Sequence, residues 1–514
     1  MHTTVIPRLS STVRLRINQT SRQIHLGSRS GPSVLAVRAS IRMAKKPQRT
    51  VLSRNFTTGS EIFDSAISTV IGFTSLFVGG IAYVSWYRRH VLNKIERAFS
   101  PDYEPVLKLA RHGEHSDEDY GLENLWTRYL RRKEQDLIDS IIHGQEAGRY
   151  FMLLGPKGTG KTTMVIDAMQ ACKAEGIAMC DAHPDLEVFR LRLGKAFNFQ
   201  FNEDSQIGLF QRKEPRDGGA ALDIERALDK LEEVALRYSL RRGRPLVIII
   251  NNVHSFQHNE DARNVLLQLQ QRAEAWSASG VVTFVFSSDD FWPFWIMRNS
   301  SRNLQVVSVS DLTYQEAFNT SLSIRKKAKL LAESEQDVEK AVRLLGGRLS
   351  YIQRAARADS MLAHAHEMLA LEKAWLLSQI GLIEDYDEDV VQKQKWSSCS
   401  WLLLREFVRL MQEGEKDLMT QIRQGKKAME DLLNLPLPKI PYHRCCQIMT
   451  RADFLEELDR RSIVAIDINH DVTPDSGLLL RAAREVVEEK GFDEVLTNVR
   501  RKIYGTEILH IGNP

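Results

Sequence analysis

Gly155-Pro156-Lys157-Gly158-Thr159-Gly160-Lys161-Thr162, entered from the apolar run Tyr150–Leu154, is the stretch on which the fold turns. Four residues separate Gly155 from Gly160, and Lys161 and Thr162 follow at once. A short apolar strand leads in and a helix-compatible stretch, Thr162–Ala174, leads out, the context in which this spacing cradles phosphate. The glycines let backbone N–H groups curl around a β-phosphate, Lys161 aims a point charge at the β- and γ-phosphates, and the Thr162 hydroxyl is suited to ligating Mg²⁺. A Gly/Lys-rich surface turn is the plain alternative, and the strand-loop-helix context argues against it. Gly155, Pro156, Lys157, Gly158, Thr159, Gly160, Lys161, Thr162 and Thr163 are thus expected to hold a nucleoside triphosphate, with Thr162 also at the metal.

Outward from this loop the chain alternates strands and helices, which implies a parallel sheet with crossover helices. The expected strands are Tyr150–Leu154, Ile177–Asp181, Leu246–Ile250, Val281–Ser287 and Leu304–Val309. The last three are almost uniformly apolar, as in strands covered on both faces. Helical signals run from near Leu122 to Ile142. After the strand ending at Ile250, the acid that normally orients Mg²⁺ through water is replaced by Asn251-Asn252. Asn251 can accept a hydrogen bond from a metal-bound water but adds no charge, and Asn252 cannot take a proton. Losing a well-placed general base typically costs about 10²–10⁴ in rate. Binding with slow or absent hydrolysis is expected, unless Glu260 or Asp261 from the following loop substitutes.

Asn251 and Asn252 are candidate catalytic residues, Asn251 also a metal candidate. Ser287, in the strand-tip run Ser287-Ser288-Asp289-Asp290, is a third. It or Asp289 can orient water or sense a γ-phosphate, and a helix cap is the equal alternative. Phe291-Trp292-Pro293-Phe294-Trp295 reads as core or interdomain contact before a binding box. Arg298 and Arg302 read as solvated, with reach to a neighbouring subunit's nucleotide as the alternative.

The chain of 514 residues is long enough for two or three domains. Its net charge of +4 conceals an asymmetry: residues 1–60 hold nine Arg and two Lys without an acid, so the remainder is net acidic. An Arg-rich, Ser/Thr-rich, acid-free start has the composition of a mitochondrial presequence, and Arg54-Asn55-Phe56-Thr57 resembles a processing site; a disordered basic tail is the alternative. Ser65–Tyr87 is an uncharged stretch of 23 residues. As a helix it spans roughly 34 Å, enough for a hydrocarbon core of about 30 Å. Trp86 and Tyr87 sit at one end as interfacial anchors, and Arg88, Arg89 and Lys94 follow directly. Acids before the span and bases after it place the large C-terminal part on the matrix side. The five cysteines lack zinc-ligand spacing and read as reduced thiols.

Residues 393–514 read as an apolar helix Trp401–Met411, a charged helix Glu413–Leu433, a break at Pro436, Pro438 and Pro441, and a helix Ala452–Arg461. Ser462–Ile468, Asn469–Asp475 and Gly477–Ala483 then read as strand, turn and strand, giving a winged-helix outline. This part holds 19 basic and 19 acidic residues. A DNA reader usually carries a basic face, so a protein-contacting or lid-coupled role is expected and nucleic acid is not.

With these features the chain resembles the AAA+ and STAND-type P-loop ATPases. Asp311-Leu312-Thr313 with Glu316-Ala317 is similar to their entry into a helical lid. Gly346-Gly347-Arg348-Leu349 resembles the lid motif bearing a second sensor, which makes Arg348 a candidate catalytic residue touching the γ-phosphate. A nearer resemblance, through Trp396-Ser397-Ser398-Cys399-Ser400-Trp401 and Asp467-Ile468-Asn469-His470-Asp471, is to fungal mitochondrial membrane-anchored AAA+ proteins with a C-terminal winged helix. Fungal mitochondrial escape proteins are more distantly similar. The likeness covers roughly residues 120–510 and implies ATP as the nucleotide; no Asn-Lys-x-Asp stands after the fourth strand.

The expected fold is an α/β P-loop NTPase parallel sheet with a helical lid, followed by a mainly helical winged-helix domain, with an N-terminal transmembrane helix. The expected divisions are a presequence (1–60), a span (65–87), a connector (88–119), the nucleotide-binding core (120–310), the lid (311–392) and the winged helix (393–514). The expected function is that of a single-pass mitochondrial inner-membrane, ATP- and Mg²⁺-binding ATPase or slow nucleotide-gated switch acting on a protein partner, with a homo-oligomer compatible. A membrane tether for mitochondrial nucleic acid and a scaffold with a non-hydrolysing site are the alternatives.

Overall fold

The computed structural model describes residues 60–108, 131–201, 219–328, 333–428, 431 and 434–511. Residues 1–59 of the presequence expected over 1–60, its processing site and the helical signals of residues 122–130 lie outside the described residues. The chain divides into two compact units, residues 1–74 and 75–514.

The second unit is built on five parallel strands: β1 (Tyr150–Leu154), β2 (Ile177–Asp181), β3 (Leu246–Asn251), β4 (Val282–Ser288) and β5 (Leu304–Ser308). Their spatial order is β2-β3-β4-β1-β5. Alternate residues of a strand face opposite ways. Phe151, Leu153, Val247 and Ile249 accordingly pack on one side, with Ile138 and Val165 from the helices Gln135–Ile142 and Lys161–Ala171. Tyr150, Met152, Ile248, Ile250, Phe284 and Phe286 pack on the other, against Leu193, Leu231 and Leu266. Each fully buried aliphatic side chain here contributes about 1.5–3 kcal/mol of transfer free energy. β5 departs from expectation, since only Val307 among its residues is buried. It is a sheet edge, which its polar residues Gln305 and Ser308 suit.

The helix Ser60–Ala98 exposes Phe73, Leu76, Phe77 and Trp86 and contains a stretch long and apolar enough to cross a membrane. It does not stop at Tyr87. Through residues first read as connector it turns an apolar stripe, Val91, Leu92, Ile95 and Ala98, into the core of the second unit. Arg88, one of the basic residues that follow the span, pairs with Glu233 at 2.7 Å.

Four helices, Tyr314–Lys327, Glu335–Leu345, Leu349–Ala356 and Met361–Ile380, follow the sheet. The first opens on a capping box: the Thr313 hydroxyl accepts from the Glu316 N–H at 3.3 Å, and the Glu316 carboxylate accepts from the Thr313 N–H at 2.9 Å. Beyond them, the helices expected at Trp401–Met411 and Glu413–Leu433 prove to be one helix, Val391–Arg423, which ends at Arg423 rather than at Leu433. Its buried Trp396 and Trp401 indoles donate to the carbonyls of Phe454 and Ile380. A small antiparallel sheet of β6 (Ile440–Pro441), β7 (Val464–Ile466) and β8 (Asp471–Pro474) is ordered β6-β8-β7.

The hairpin therefore ends before residue 475, and Gly477–Ala483, read as a strand, is the start of the helix Gly477–Val487. A short run such as Leu478-Leu479-Leu480 does not distinguish strand from helix by periodicity. The Ser476 hydroxyl, accepting from the Leu479 N–H at 3.2 Å, caps this helix.

Candidate nucleotide site

The phosphate loop links β1 to the helix beginning at Lys161. Gly158 and Gly160 have φ of +82° and +99°, values that side-chain-bearing residues rarely adopt, and a Cβ on Gly158 would lie 2.3 Å from Ser350 Oγ. Donors outside the loop hold its carbonyls. Arg132 donates to Thr159 O at 2.7 Å, Arg348 to Lys157 O at 2.6 Å and the Ser350 N–H to Gly158 O at 3.1 Å. Because the C=O and N–H of one peptide unit point opposite ways, carbonyls engaged outside leave the amides turned to the loop's hollow, the arrangement that binds anions.

Lys161, only 4% exposed, donates to the carbonyls of Gly155 and Pro156 at 2.6 and 2.9 Å and pairs with Asp289 Oδ1 at 2.7 Å. Burial holds its pKa below the ordinary lysine value, with Asp289 opposing that shift. The His254 ring completes the tip of β4: its Nδ1 accepts from the Asp289 N–H at 3.0 Å, and its Nε2 lies 3.6 Å from Asp289 Oδ2. An accepting Nδ1 places the proton on Nε2, and burial lowers the pKa of this ring.

Among the residues singled out by sequence, Thr162 and Asn251 come together, the Thr162 hydroxyl donating to Asn251 Oδ1 at 3.2 Å. The Asn251 amide donates in turn to Asp181 Oδ1, at the tip of β2, at 2.8 Å. Asn252 follows in the left-handed conformation, φ 54°. Ser287 is buried within β4, and its hydroxyl has no hydrogen-bond partner among the described residues. Glu260 and Asp261 are exposed in the first turn of the helix Glu260–Ala278, and neither is among the partners of Thr162 or Asn251.

Arg348 is 1% exposed and faces three ways: to Asp311 Oδ1 at 2.6 Å, to Lys157 O, and to Asp475 Oδ2 at 3.0 Å. Burial works against its charge, but Asp475 and Asp311 more than offset this and raise its pKa. Asp475, which follows β8, is pushed up to about 6 by burial, Arg348 opposing. Sequence reading missed Asp181, Asp475 and Arg132, because their partners lie far away along the chain.

The aromatic run takes the interdomain option. The Phe291 N–H donates to buried Asp459 at 2.8 Å, and Trp295 stacks on Tyr442 with centroids 5.9 Å apart. Arg298 is engaged by His470, and Arg302 is exposed. Beside Asp311 a cavity of about 1120 Å³ lies between the lid helices and the winged helix, with Arg343, Arg481 and Arg484 on its walls. The described residues contain no cluster of metal-ligating side chains and no disulfide.

Asp290 carries a pH prediction. Burial, then Asp289, push its carboxyl up to about 7, while Arg460 and Lys161 pull the other way. A folded value above the ordinary 3.8 means that the stability linked to this proton is present below that value and lost as pH rises toward 7. Asp290→Asn, which mimics the protonated form, should stabilise the chain by about 1–3 kcal/mol more at pH 8 than at pH 4.5, measured by denaturant unfolding at the two pH values.

Residues 128–283 match the AAA ATPase domain family, and residues 377–507 match the fungal AAA protein C-terminal winged helix domain. A solved Walker-type ATPase of Pyrococcus abyssi is similar at 12% identity over 70% of this chain and 97% of its own, with a TM-score of 0.44. Cdc6p of Pyrobaculum aerophilum is similar at 13% identity over 74% and 98%, with a TM-score of 0.30. No curated protein matches in sequence.

Proposed function

For this chain, an AAA+ P-loop ATPase with the C-terminal winged helix of fungal AAA proteins, we propose the role of a membrane-anchored, ATP-binding conformational switch with slow turnover, acting on a protein partner. The observation that carries this reading is the Arg348 junction. One buried guanidinium joins the phosphate loop, the residue that opens the lid and the winged helix. Any ligand that draws Arg348 toward a γ-phosphate must weaken its hold on Asp475, so occupancy of the loop and the position of the winged helix are coupled.

The residues present suit Mg-ATP: Lys161 and the loop amides for the phosphates, Thr162 and Asn251 on the metal's side, and Asp289 or Ser287 for the attacking water. Bound Mg²⁺ would neutralise charge between the β- and γ-phosphates. Asn252 offers no base, which supports slow turnover. The uncharged stretch Ser65–Tyr87 supports a single membrane span, and the composition of residues 1–60 supports the mitochondrial inner membrane with the ATPase part in the matrix. The balanced charge of residues 393–514 favours a protein partner over nucleic acid.

The test is to measure Mg-ATP affinity and phosphate release on the full chain in detergent. Micromolar binding with turnover well below one per second is expected, at the low end of typical enzyme rates; absence of binding overturns the reading. Asp289→Asn separates the two steps. Freed from its carboxylate partner, Lys161 should bind ATP about 10-fold more tightly while phosphate release falls.

A further inference from the structure

We infer that Asp181 supplies the negative charge that the tip of β3 lacks, acting as the positioning acid on the metal side of the nucleotide site through Asn251 and Thr162. This rests on the ATP-binding reading above.

β2 and β3 run parallel in register, with Asp181 directly opposite Asn251. The two side chains meet across that pair at 2.8 Å, and the far end of the Asn251 amide meets Thr162 at 3.2 Å. The chain of bonds leaves one orientation for the Asn251 amide: its oxygen accepts from Thr162 and its NH₂ donates to the carboxylate. Asn251 is 3% exposed, so an amide turned the other way would set its oxygen against the Asp181 carboxylate, acceptor against acceptor, an arrangement that burial makes costly.

Of the other acids near the site, Asp289 is paired with Lys161, Asp311 and Asp475 with Arg348, and buried Asp459, in the helix Ala452–Arg460, accepts from Phe291, while burial pushes the Asp290 carboxyl up to about 7 and so disfavours its charge. Asp181 forms no ion pair among the described residues. The one arginine that reaches it, Arg192, contacts its backbone carbonyl at 3.5 Å. Its unit charge is therefore available to the metal side of the loop, displaced by one strand from where such an acid usually stands. The exchange also explains how an asparagine serves at the end of β3: Asn251 relays orientation and the neighbouring strand provides charge.

The experiment measures binding of a fluorescent ATP analogue to the full chain in detergent, in Mg²⁺ and in EDTA. Asp181→Asn keeps the shape and removes the charge. It should cost about 10–100-fold in the Mg²⁺ form, as loss of an outer partner of a metal site does. In EDTA its affinity should be equal to that of the unsubstituted chain or higher, since a negative charge near the phosphates has gone. Asp181→Asn with Asn251→Asp transposes the acid to β3 and should restore the Mg²⁺-dependent gain. Equal losses in both media, or no restoration by the transposed pair at a matching unfolding midpoint, would show a merely structural Asp181 and overturn the inference. If Asp181→Asn changes neither affinity, the inference also fails while ATP binding stands; if the unsubstituted chain binds in neither medium, both readings fall.

Discussion

Lys161→Ala is expected to lower Mg-ATP affinity at least about 100-fold, roughly 3 kcal/mol, as measured by calorimetric titration of the full chain. Part of that loss is the charge-assisted contact to phosphate. The rest comes from what the substitution leaves behind. Lys161 is buried against two carbonyls and Asp289, so its removal exposes an uncompensated carboxylate, 2.7 Å from where the ammonium stood, to an incoming polyanion. The second contribution is read by adding Asp289→Asn to the Lys161→Ala chain, which should recover about 10-fold of the lost affinity. Unchanged affinity in the single variant would remove the phosphate-site assignment.

Arg348→Ala should be the most destabilising single change at the site, at about 3–5 kcal/mol, because it strands a buried partner. Asp475 is 6% exposed and already has a raised pKa with the guanidinium beside it. Without Arg348 its proton would be held more tightly still. A carboxyl whose folded pKa is raised loses its linked stability as pH rises, so the cost of Arg348→Ala should be larger at pH 8 than at pH 5. Asp475→Asn in the same chain should restore part of the stability at pH 8, and denaturant unfolding at the two pH values reads both effects. The single variant should also separate winged helix from loop, detected as faster proteolysis around Gly346-Gly347. A neutral Arg348→Ala would dismiss the junction as the coupling element.

The core strands were legible because each is a short apolar run between turn residues, and the phosphate loop because its chemistry is confined to eight consecutive positions. The errors fell where a local pattern has two solutions. Leu478-Leu479-Leu480 suits a strand or a buried helix, and the cap at Ser476 together with burial on the lid and winged-helix cores selects the helix. The expected breaks after Tyr87 and after Met411 failed for a related reason: a change in polarity along a helix marks a change in what it packs against, not its end.

By itself the sequence determined a phosphate-binding α/β core, an apolar N-terminal helix and an Asn where an acid is usual. Each of these is written in neighbouring residues whose backbone preferences and side-chain chemistry act within a few positions. Tertiary structure decided which acid stands beside Asn251, that Lys161 is held by Asp289, and that Arg348 ties the loop to Asp475. Those pairings join residues 70, 128 and 127 positions apart. They follow from strand order and from the docking of the winged helix on the lid, which no local preference encodes.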